Sequence, residues 1–340
     1  MKAGIIGTGA VAGHHARAIA QTDGVELAAV ASRTREKAEQ MAARYGARCY
    51  PDAASLIDDR SIELVIICTF PDSHCEYAVA AARRGKHVLV EKPIDLSLQR
   101  ARQTIEECRK AGVTLAVVSQ RRFCDGPRHL HEAVRSGKLG KILQADAYVK
   151  WYRTPAYYAV PGKGTWEVEG GGALINQTIH QIDLLRWIIG PVRHLTCEWQ
   201  LGCLHAIPSE DVAAALLRYD NEATGVIQAS TAFFPGFPDR IEIHGTKGSV
   251  TTEGDFLKQW DVPGCPPPPS EAFQSGTLGS SKPMDIPVEP FCRQLRDVMG
   301  AISSGKPPLV TGQEGLETLK VVLAMYDSAR SGNRIAMERG

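Results

Sequence analysis

The chain carries almost no net charge. Its 39 lysine and arginine residues are balanced by 38 aspartate and glutamate residues, which leaves a formal charge of +1. A charge this small creates no overall field that would attract nucleic acid or an anionic membrane. We therefore expect a small-molecule partner, with no nucleic acid and no membrane among the ligands.

Long apolar runs are missing as well. No stretch reaches the roughly 18 apolar residues of a membrane span. The first apolar segment already ends at Gly7, which is too early for the apolar core of a secretion signal. These absences predict a cytoplasmic protein.

Cysteines with a recognisable spacing are also lacking. Nine cysteines are scattered along the chain, with no C-x-x-C pair and no spacing of the kind that zinc sites use. We expect reduced thiols, most of them buried, and no metal site.

The chain does have enough length for two domains, because 340 residues exceed a typical single core. Up to residue 122, short β-branched runs alternate with helical segments, which is typical of a parallel sheet with crossover helices. Later strands follow one another through short polar turns, as in antiparallel sheets. We predict a doubly wound α/β domain over 1–122. An α+β domain with a large, mostly antiparallel open sheet follows over 123–340, and its closing helices can pack back on the first domain.

The individual elements follow from the same patterns. The predicted strands of the first domain are 2–6, 25–32, 64–69, 87–90 and 114–118, and its helices are 14–21, 35–45, 74–84 and 97–111. In the second domain, we predict a helix over 128–136, strands over 145–152, 197–203, 212–219, 225–232 and 240–250, and closing helices over 289–303 and 313–331. The segment 263–290 is rich in Pro, Gly and Ser and predicts an irregular loop.

A glycine turn follows the first strand directly. Gly7, Thr8, Gly9, Ala10 and Val11 open a helix in the G-x-G-x-x-A form that binds dinucleotides, because glycines let the backbone approach the pyrophosphate at a helix N-terminus. The alternative is a tight turn that needs glycine only for its positive φ. The position after the first strand of a βαβ unit favours the dinucleotide site.

The end of the second strand bears on which dinucleotide binds. NAD sites usually carry an acidic residue there for the ribose 2′-hydroxyl, whereas this chain has Ser32 and Arg33. A hydroxyl and an arginine suit a 2′-phosphate, which favours NADP over NAD. Alternatively, Ser32 caps the next helix and Arg33 stacks on adenine.

Lys92 stands at the end of a later strand, in the run Glu91-Lys92-Pro93. Doubly wound folds bind their ligands at this carboxyl edge of the sheet. A lysine at the end of a strand is ordinarily solvated, so its position alone does not identify it as a reactive group. Pro93 favours an unusual turn and permits a cis peptide bond.

Three motifs in this order resemble the glucose-fructose oxidoreductase, inositol dehydrogenase and rhizopine-catabolism (Gfo/Idh/MocA) dehydrogenase family: Gly7–Ala12, Thr69–His74 and Glu91–Pro93. The resemblance extends over nearly the whole chain. Gln120–Phe123 is similar to the family's crossing into its second domain, and Gly137–Ile142 to the loop before its first long strand.

The resemblance implies an NAD(P)-dependent oxidoreductase. Its hydride transfer would act on a hydroxyl or ketone carbon of a sugar, glycoside, cyclitol or sugar acid. The resemblance also implies a homo-oligomer, a dimer or tetramer, in which the open sheet often forms the interface.

The resemblance further assigns residues to the site. Lys92 would contact both the nicotinamide ribose and the reacting oxygen. The remaining residues implied as cofactor contacts are Thr69, Pro71 and His74 beside the nicotinamide, Glu91, and Arg121 at the crossing between domains.

A second motif combines glycines with two polar residues. Asn176 and His180 follow the run Gly170–Gly172 and would share one face of a helix, since they are four residues apart. In the family, this histidine is commonly the general acid/base, and a histidine titrates near the working pH. Many relatives carry an aspartate where this chain has Asn176, which cannot relay a proton but can hydrogen-bond a hydroxyl. For Asp183 we expect a structural hydrogen-bonding role.

Aromatic residues flank the second motif. Tyr152, Arg153 and Trp166 suit stacking on a polyhydroxylated ring and hydrogen bonding to it. The same residues could equally lie in the core or in an interface.

Two other functions remain compatible with the resemblance. Some relatives oxidise a sugar transiently with bound NAD and then cleave a glycosidic bond, as a hydrolase or lyase. The third possible function is that of a dinucleotide-dependent sensor without catalysis. The presence of both Lys92 and His180 and the lack of an added nucleic-acid-binding module argue against it.

Overall fold

The computed structural model describes residues 1–273 and 287–338. Contacts divide the chain into two units, which comprise 1–120 with 287–317 and 121–286 with 318–340. The first unit therefore includes a segment from near the C-terminus in addition to the residues before position 122. Residues 274–286, which belong to the loop predicted over 263–290, lie outside the described residues.

The first unit contains a six-stranded sheet in the order β3-β2-β1-β4-β5-β6. All its described pairings are parallel, so the predicted doubly wound sheet is confirmed. β4 is buried on both faces, as expected for a β-branched run inside a parallel sheet. The strands are β1 Lys2–Ile6, β2 Glu26–Ala31, β3 Arg48–Tyr50, β4 Leu64–Ile67, β5 His87–Val90 and β6 Leu115–Val117.

Local signals set the helix boundaries of this unit. Ser97 accepts a hydrogen bond from Arg100 N at 3.1 Å and caps α5, and Gly46 ends α2 in the left-handed region at φ 68°. The helices are α1 Ala10–Ala20, α2 Arg35–Tyr45, α3 Ala53–Asp58, α4 His74–Arg83, α5 Leu98–Lys110 and, in the later segment 287–317 of this unit, α9 Glu289–Ser304. The sequence patterns missed β3 and α3 and started α1 four residues late.

The second unit contains an eight-stranded sheet in the order β13-β12-β11-β7-β10-β9-β8-β14. Only the β10–β7 pairing is parallel among the described pairs, which confirms the mostly antiparallel sheet. The predicted strand over 240–250 is two strands joined by a tight turn, because residues 246–247 interrupt the ladder. The strands are β7 Ile142–Lys150, β8 Val192–Leu201, β9 Glu210–Tyr219, β10 Thr224–Ser230, β11 Arg240–Gly245, β12 Gly248–Glu253, β13 Phe256–Asp261 and β14 Ile335–Ala336.

Helices cover one face of this sheet, and α8 packs on β7. On the other face, alternate residues of β9 stay open, such as Leu216, which is 57% exposed. The helices of the unit are α6 Asp125–Arg135, the single turn α7 Pro155–Tyr158 and α8 Ile179–Ile189, while α10 Gly312–Ser331 runs across the division at residue 317. Within the described part of the chain, no helix is both long enough and apolar enough to cross a bilayer.

The cysteines are free thiols, as predicted. Cys68, Cys75, Cys108, Cys124, Cys197 and Cys292 are buried, and only Cys203 is exposed. Burial raises the pKa of Cys108 to about 12, which keeps this thiol protonated and inert.

Candidate active site

The first glycine of the N-terminal turn is required by the protein itself. Gly7 has φ +96°, and a Cβ at this position would lie 2.6 Å from the carbonyl oxygen of Cys68. Its N–H donates to Ala31 O at 2.8 Å. Any side chain here would be strained and would collide with the backbone that follows β4.

The second glycine of the turn faces open space. A Cβ at Gly9 would meet no described protein atom within 4 Å. Gly9 is also the N-cap of α1, which has no side-chain cap and no acidic residue in its first turn. Ala12 N donates to Gly9 O at 3.1 Å, and the N–H groups of Ala10 and Val11 before it are placed to meet a ligand. Space for a close backbone approach, together with the positive end of a helix, fits a dinucleotide pyrophosphate.

Ser32 connects two turns at the end of β2. Its hydroxyl accepts hydrogen bonds from Thr8 Oγ1 at 2.8 Å and from Thr34 N at 3.3 Å. The N-cap of α2 is Thr34 rather than Ser32, so Ser32 does not cap that helix directly. Arg33 is exposed, and no carboxylate occurs among residues 31–35. A cation therefore stands where NAD-selective sites usually place an acid.

Glu91 joins helix α1 to the loop that carries Lys92. Its Oε1 accepts from His15 Nε2 at 2.8 Å, and its Oε2 accepts from the Lys92 N–H at 3.1 Å. Burial would raise the pKa of Glu91, but the hydrogen bond to His15 and the charges of His15 and Lys92 outweigh it and hold the pKa below its usual value. Protein donors occupy both oxygens, so Glu91 braces Lys92 in addition to any role at the cofactor.

His74 lies behind this loop and has no exposed surface. Its Nδ1 donates to Pro93 O at 2.8 Å, and its Nε2 lies 3.2 Å from Thr69 O. Burial lowers the pKa of His74, while the hydrogen bonds to the carbonyl oxygens of Pro93 and Thr69 oppose this shift. The buried ring supports the segments of Thr69 and Pro93, and the nicotinamide contact implied for His74 by the resemblance stays a prediction.

The accessible residues of the first unit converge at one edge of its sheet. β4 lies between β1 and β5, with Ile67 paired to both Ile6 and Val90. The segments that leave these three strands therefore emerge side by side. They carry the glycine turn, the partly exposed Thr69 and Pro71, and the partly exposed Lys92, which precedes a cis peptide bond to Pro93.

The second glycine run is packed against protein atoms. Gly171 has φ +144°, and a Cβ there would lie 2.2 Å from the hydroxyl oxygen of Tyr326. A Cβ at Gly172 would lie 1.9 Å from Glu210 O. Both positions therefore demand glycine for reasons of local packing.

A π-helical turn, Leu174–Thr178, follows the glycines, and α8 begins only at Ile179. The single α-helix predicted through both Asn176 and His180 is therefore wrong at its start. The i→i+5 bonding of a π turn leaves no trace in a pattern of apolar residues, and such turns occur often at functional sites.

Asn176 and His180 nevertheless present one accessible surface. Between Gly171 and Leu185, they are the two residues with partial exposure, and all others are buried. Asp183 lies one turn further, where its carboxylate accepts from Arg122 Nε at 2.8 Å and Nη2 at 2.6 Å. A hydroxyl of Thr318 also donates to Asp183 at 3.0 Å, which is the structural role predicted for this residue.

Arg121 is held inside the second unit. Its guanidinium donates to Asp239 through Nη1 at 2.5 Å and Nη2 at 3.0 Å, and Gln181 of α8 donates to the same carboxylate at 2.6 Å. Burial would lower the pKa of Arg121, but the charge of Asp239 outweighs it and raises the pKa. A buried carboxylate thus engages this cation, and the cofactor contact implied for Arg121 by the resemblance stays a prediction.

The predicted substrate contacts fall into two aromatic groups. The guanidinium of Arg153 lies 4.9 Å from the ring centre of Trp151 and 5.4 Å from that of Tyr157, and burial lowers the pKa of Arg153. Tyr152 packs edge-on against Phe234 at 5.3 Å. Trp166 instead packs against Trp199 in a tilted arrangement at 5.6 Å and edge-on against Tyr326 at 5.1 Å, so it belongs to packing around the second glycine run.

The sequence patterns did not single out Glu210 and Tyr326. Tyr326 donates to Glu210 Oε1 at 2.9 Å, and both side chains are buried. The available signal was the acidic pair Glu210-Asp211 directly before a run of six apolar residues over 212–217, since buried carboxylates need partners.

Two family models match the chain. One, described as an oxidoreductase family with an NAD-binding Rossmann fold, covers residues 1–119. The other, the GFO/IDH/MocA C-terminal domain, covers residues 128–251.

Full-length relatives are similar in sequence. The chain is 28% identical to a myo-inositol 2-dehydrogenase of Thermotoga maritima, with 99% of both chains covered. It is 26% identical to a 1,5-anhydro-D-fructose reductase of Ensifer adhaerens, with 99% of this chain and 98% of that protein covered.

A solved structure shares the whole architecture. The WlbA dehydrogenase of Bordetella pertussis, in complex with NADH and UDP-GlcNAcA, superposes with a TM-score of 0.88 at 28% identity and covers 100% of this chain and 99% of its own. An oxidoreductase of Agrobacterium radiobacter in complex with NAD+, L-tartaric acid and magnesium gives a TM-score of 0.87 at 25% identity, covering 99% and 98% of the two chains.

Proposed function

The chain belongs to the GFO/IDH/MocA oxidoreductase family, and from this premise we propose that it transfers a hydride between a nicotinamide dinucleotide and a hydroxyl or ketone carbon of a sugar, glycoside, cyclitol or sugar acid. In this proposal, Lys92 orients and polarises the reacting oxygen, and His180 is the general acid/base. The observation that carries it is the convergence of the phosphate turn and Lys92 at one edge of the parallel sheet.

The chemistry requires both groups. When bound, the nicotinamide accepts the hydride that leaves the alcohol carbon. The hydroxyl proton must leave as well, and a partly exposed histidine such as His180 can take it, which contributes roughly 10²- to 10⁴-fold to the rate. The ammonium of Lys92 stabilises the alkoxide character that develops on the oxygen. In the reductive direction, His180 returns the proton to the same oxygen.

Asn176 shapes the proton transfer. An amide can donate to a hydroxyl or accept from it, but it cannot carry a proton away. In this chain, therefore, Asn176 orients the substrate, and His180 transfers the proton. Tyr152 and Arg153 are proposed as further substrate contacts, whereas the packing of Trp166 against Trp199 and Tyr326 favours a structural role.

The dinucleotide itself is a separate part of the proposal. We infer that NADP is preferred and NAD is the alternative, because exposed Arg33 stands where an acidic residue would repel a 2′-phosphate. The WlbA and Agrobacterium structures hold NADH and NAD+, respectively, so both dinucleotides belong in the assay.

The test is a panel of sugars, glycosides, cyclitols and sugar acids with NAD and NADP, followed by nicotinamide absorbance and product analysis. We expect turnover on at least one compound and a loss of about 1000-fold or more in kcat/KM for Lys92→Ala. Lys110→Ala is the matched control, because Lys110 is exposed and pairs with Glu107 at 3.3 Å at the end of α5. Absence of turnover across the panel, or full activity of Lys92→Ala, would contradict the proposal.

The same assay separates the hydrolase or lyase alternative. That reaction would release a sugar without net reduction of the dinucleotide.

The predicted homo-oligomer is a further proposal, supported by the open face of the second sheet, where Leu143 and Leu201 are each 50% exposed. Sedimentation velocity would decide between monomer, dimer and tetramer.

A further inference from the structure

Glu210 is a buried carboxylate at the start of β9 that holds the beginning of the second motif. Its Oε2 accepts from Gly172 N at 2.9 Å, and its Oε1 accepts from Leu174 N at 2.8 Å. The hydroxyl of Tyr326 also donates to Oε1 at 2.9 Å. Three donors thus converge on one carboxylate that has no exposed surface.

Two of the three donors are backbone N–H groups at the start of the π turn. N–H groups at a helix start have no partner within the helix, and a carboxylate is the acceptor that the helix dipole favours there. Because Gly171 and Gly172 press against Tyr326 and Glu210, the turn has no room to shift toward them. We call Gly171, Gly172, Leu174, Glu210 and Tyr326 the Glu210 clamp.

A hydrogen bond leads from the clamp to the proposed substrate contact. Gly172, whose N–H is held by Glu210, accepts through its carbonyl oxygen from Asn176 N at 3.0 Å. The backbone of Asn176 is therefore one residue removed from the carboxylate. His180 follows at the first turn of α8, so both accessible residues of this segment depend on how the turn begins.

We propose that Glu210 is a positioning residue that fixes the π turn so that Asn176 and His180 are directed at the substrate. The inference rests on the proposed function for the roles of those two side chains. Glu210 itself touches neither substrate nor cofactor in this proposal and acts through the backbone of Gly172 and Leu174.

Substitutions can remove the clamp in steps. Tyr326→Phe removes one donor and leaves both backbone bonds. Glu210→Gln keeps one acceptor oxygen but turns an amide N–H₂ toward a backbone N–H, so one bond is replaced by a donor–donor contact. Glu210→Ala removes all three bonds. Asp146→Asn is the matched control, since Asp146 is a buried carboxylate of β7 that accepts from Val226 N at 2.7 Å within the same unit.

The first measurement is steady-state kinetics with separate KM values. Misplacement of catalytic groups by about 1 Å costs about 100-fold in rate. We expect kcat to fall about 10-fold in Glu210→Gln, more in Glu210→Ala and less in Tyr326→Phe, while KM for the dinucleotide stays within about twofold. A merely structural role would lower the amount of active enzyme without this graded series. Unchanged kcat in Glu210→Gln, or an equal loss in Asp146→Asn, would overturn the proposal.

The second measurement does not depend on activity. Hydrogen exchange followed by mass spectrometry should show faster exchange of the amides of 172–180 in Glu210→Gln, with β8 and β10 as protected as in the wild type. Unchanged exchange in 172–180 would overturn the inference. If the wild type turned over no compound of the panel, the proposed function would fail, while this experiment would still decide whether Glu210 holds the turn.

Discussion

The two glycine runs of the chain look alike in sequence but are surrounded differently. At the first run, protein atoms crowd Gly7 only, and Gly9 looks into open space. At the second run, Tyr326 crowds Gly171 and Glu210 crowds Gly172. Open space beside a glycine at a helix start suits a ligand, whereas crowding indicates a turn locked by the protein. A glycine motif therefore indicates binding only where the space beside it is empty.

Gly172→Ala should produce the largest effect, because the second run is locked by backbone. The new Cβ would lie 1.9 Å from Glu210 O, and a strand carbonyl cannot swing away as the end of a side chain can. We expect the free energy of unfolding to fall by about 4 kcal/mol or more, measured by urea denaturation. If this variant were as stable as the wild type, the turn would be able to accommodate a Cβ, and the second glycine run would not be more crowded than the first.

Glu210→Gln should change how stability depends on pH. Burial raises the pKa of Glu210 from 4.5 to about 7, although three donors favour its ionised form. Its neighbours stay neutral in this range, since burial raises the pKa of Cys197 to about 12 and holds that of Tyr326 well above its usual value. Because the folded state binds the proton more tightly than the unfolded state does, the stability contributed by Glu210 is present below about pH 4.5 and is lost as pH rises to about 7.

The difference between wild type and Glu210→Gln isolates this contribution. Across that window, the wild type should lose about 3 kcal/mol more of its unfolding free energy than the variant. Denaturant titrations at several pH values would measure it. Parallel pH profiles of the two proteins would mean that Glu210 ionises at its ordinary pKa.

Prediction from the sequence succeeded where the signal is local. β1 and β5 begin and end at the predicted residues. An apolar run bounded by polar or turn residues contains all the information that is needed to predict a strand. β3 and α3 were missed because they have only three and six residues, too few for a periodic pattern. The motifs of both units were found, since each is a short run of unusual composition.

The supporting contacts of the site could not be predicted in the same way. Glu210 meets Gly172 across 38 positions and Tyr326 across 116, and His15 meets Glu91 across 76. The periodicity of one segment cannot predict hydrogen bonds to residues so far away in the sequence. The burial of His74 and the ion pair of Arg121 likewise depend on neighbours that only the fold supplies.

Gly9→Ala tests the first glycine run, where the space beside Gly9 is open. No described atom lies within 4 Å of the new Cβ, so stability should change by less than about 1 kcal/mol. The methyl group would occupy space that a pyrophosphate needs, and we expect dinucleotide affinity to fall about 30-fold, or about 2 kcal/mol. Isothermal titration calorimetry would measure it, with Gly13→Ala as the control one turn further along α1, where space is equally open. Equal affinity in wild type and Gly9→Ala would place the ligand elsewhere.

Arg33→Ala should give the smallest effect. It tests which dinucleotide binds beside the first glycine run. Arg33 is exposed at the end of β2, where its charge is screened by water, so a contact with a 2′-phosphate contributes about 1 kcal/mol. We expect KM for NADP to rise about fivefold and KM for NAD to stay the same. Arg35→Ala is the matched control, because Arg35 is also exposed but already pairs with Glu39 at 2.8 Å, and its loss should alter neither value. An equal change for both dinucleotides would mean that Arg33 contacts a part they share, such as the adenine ring, and the inferred preference for NADP would then lose its support.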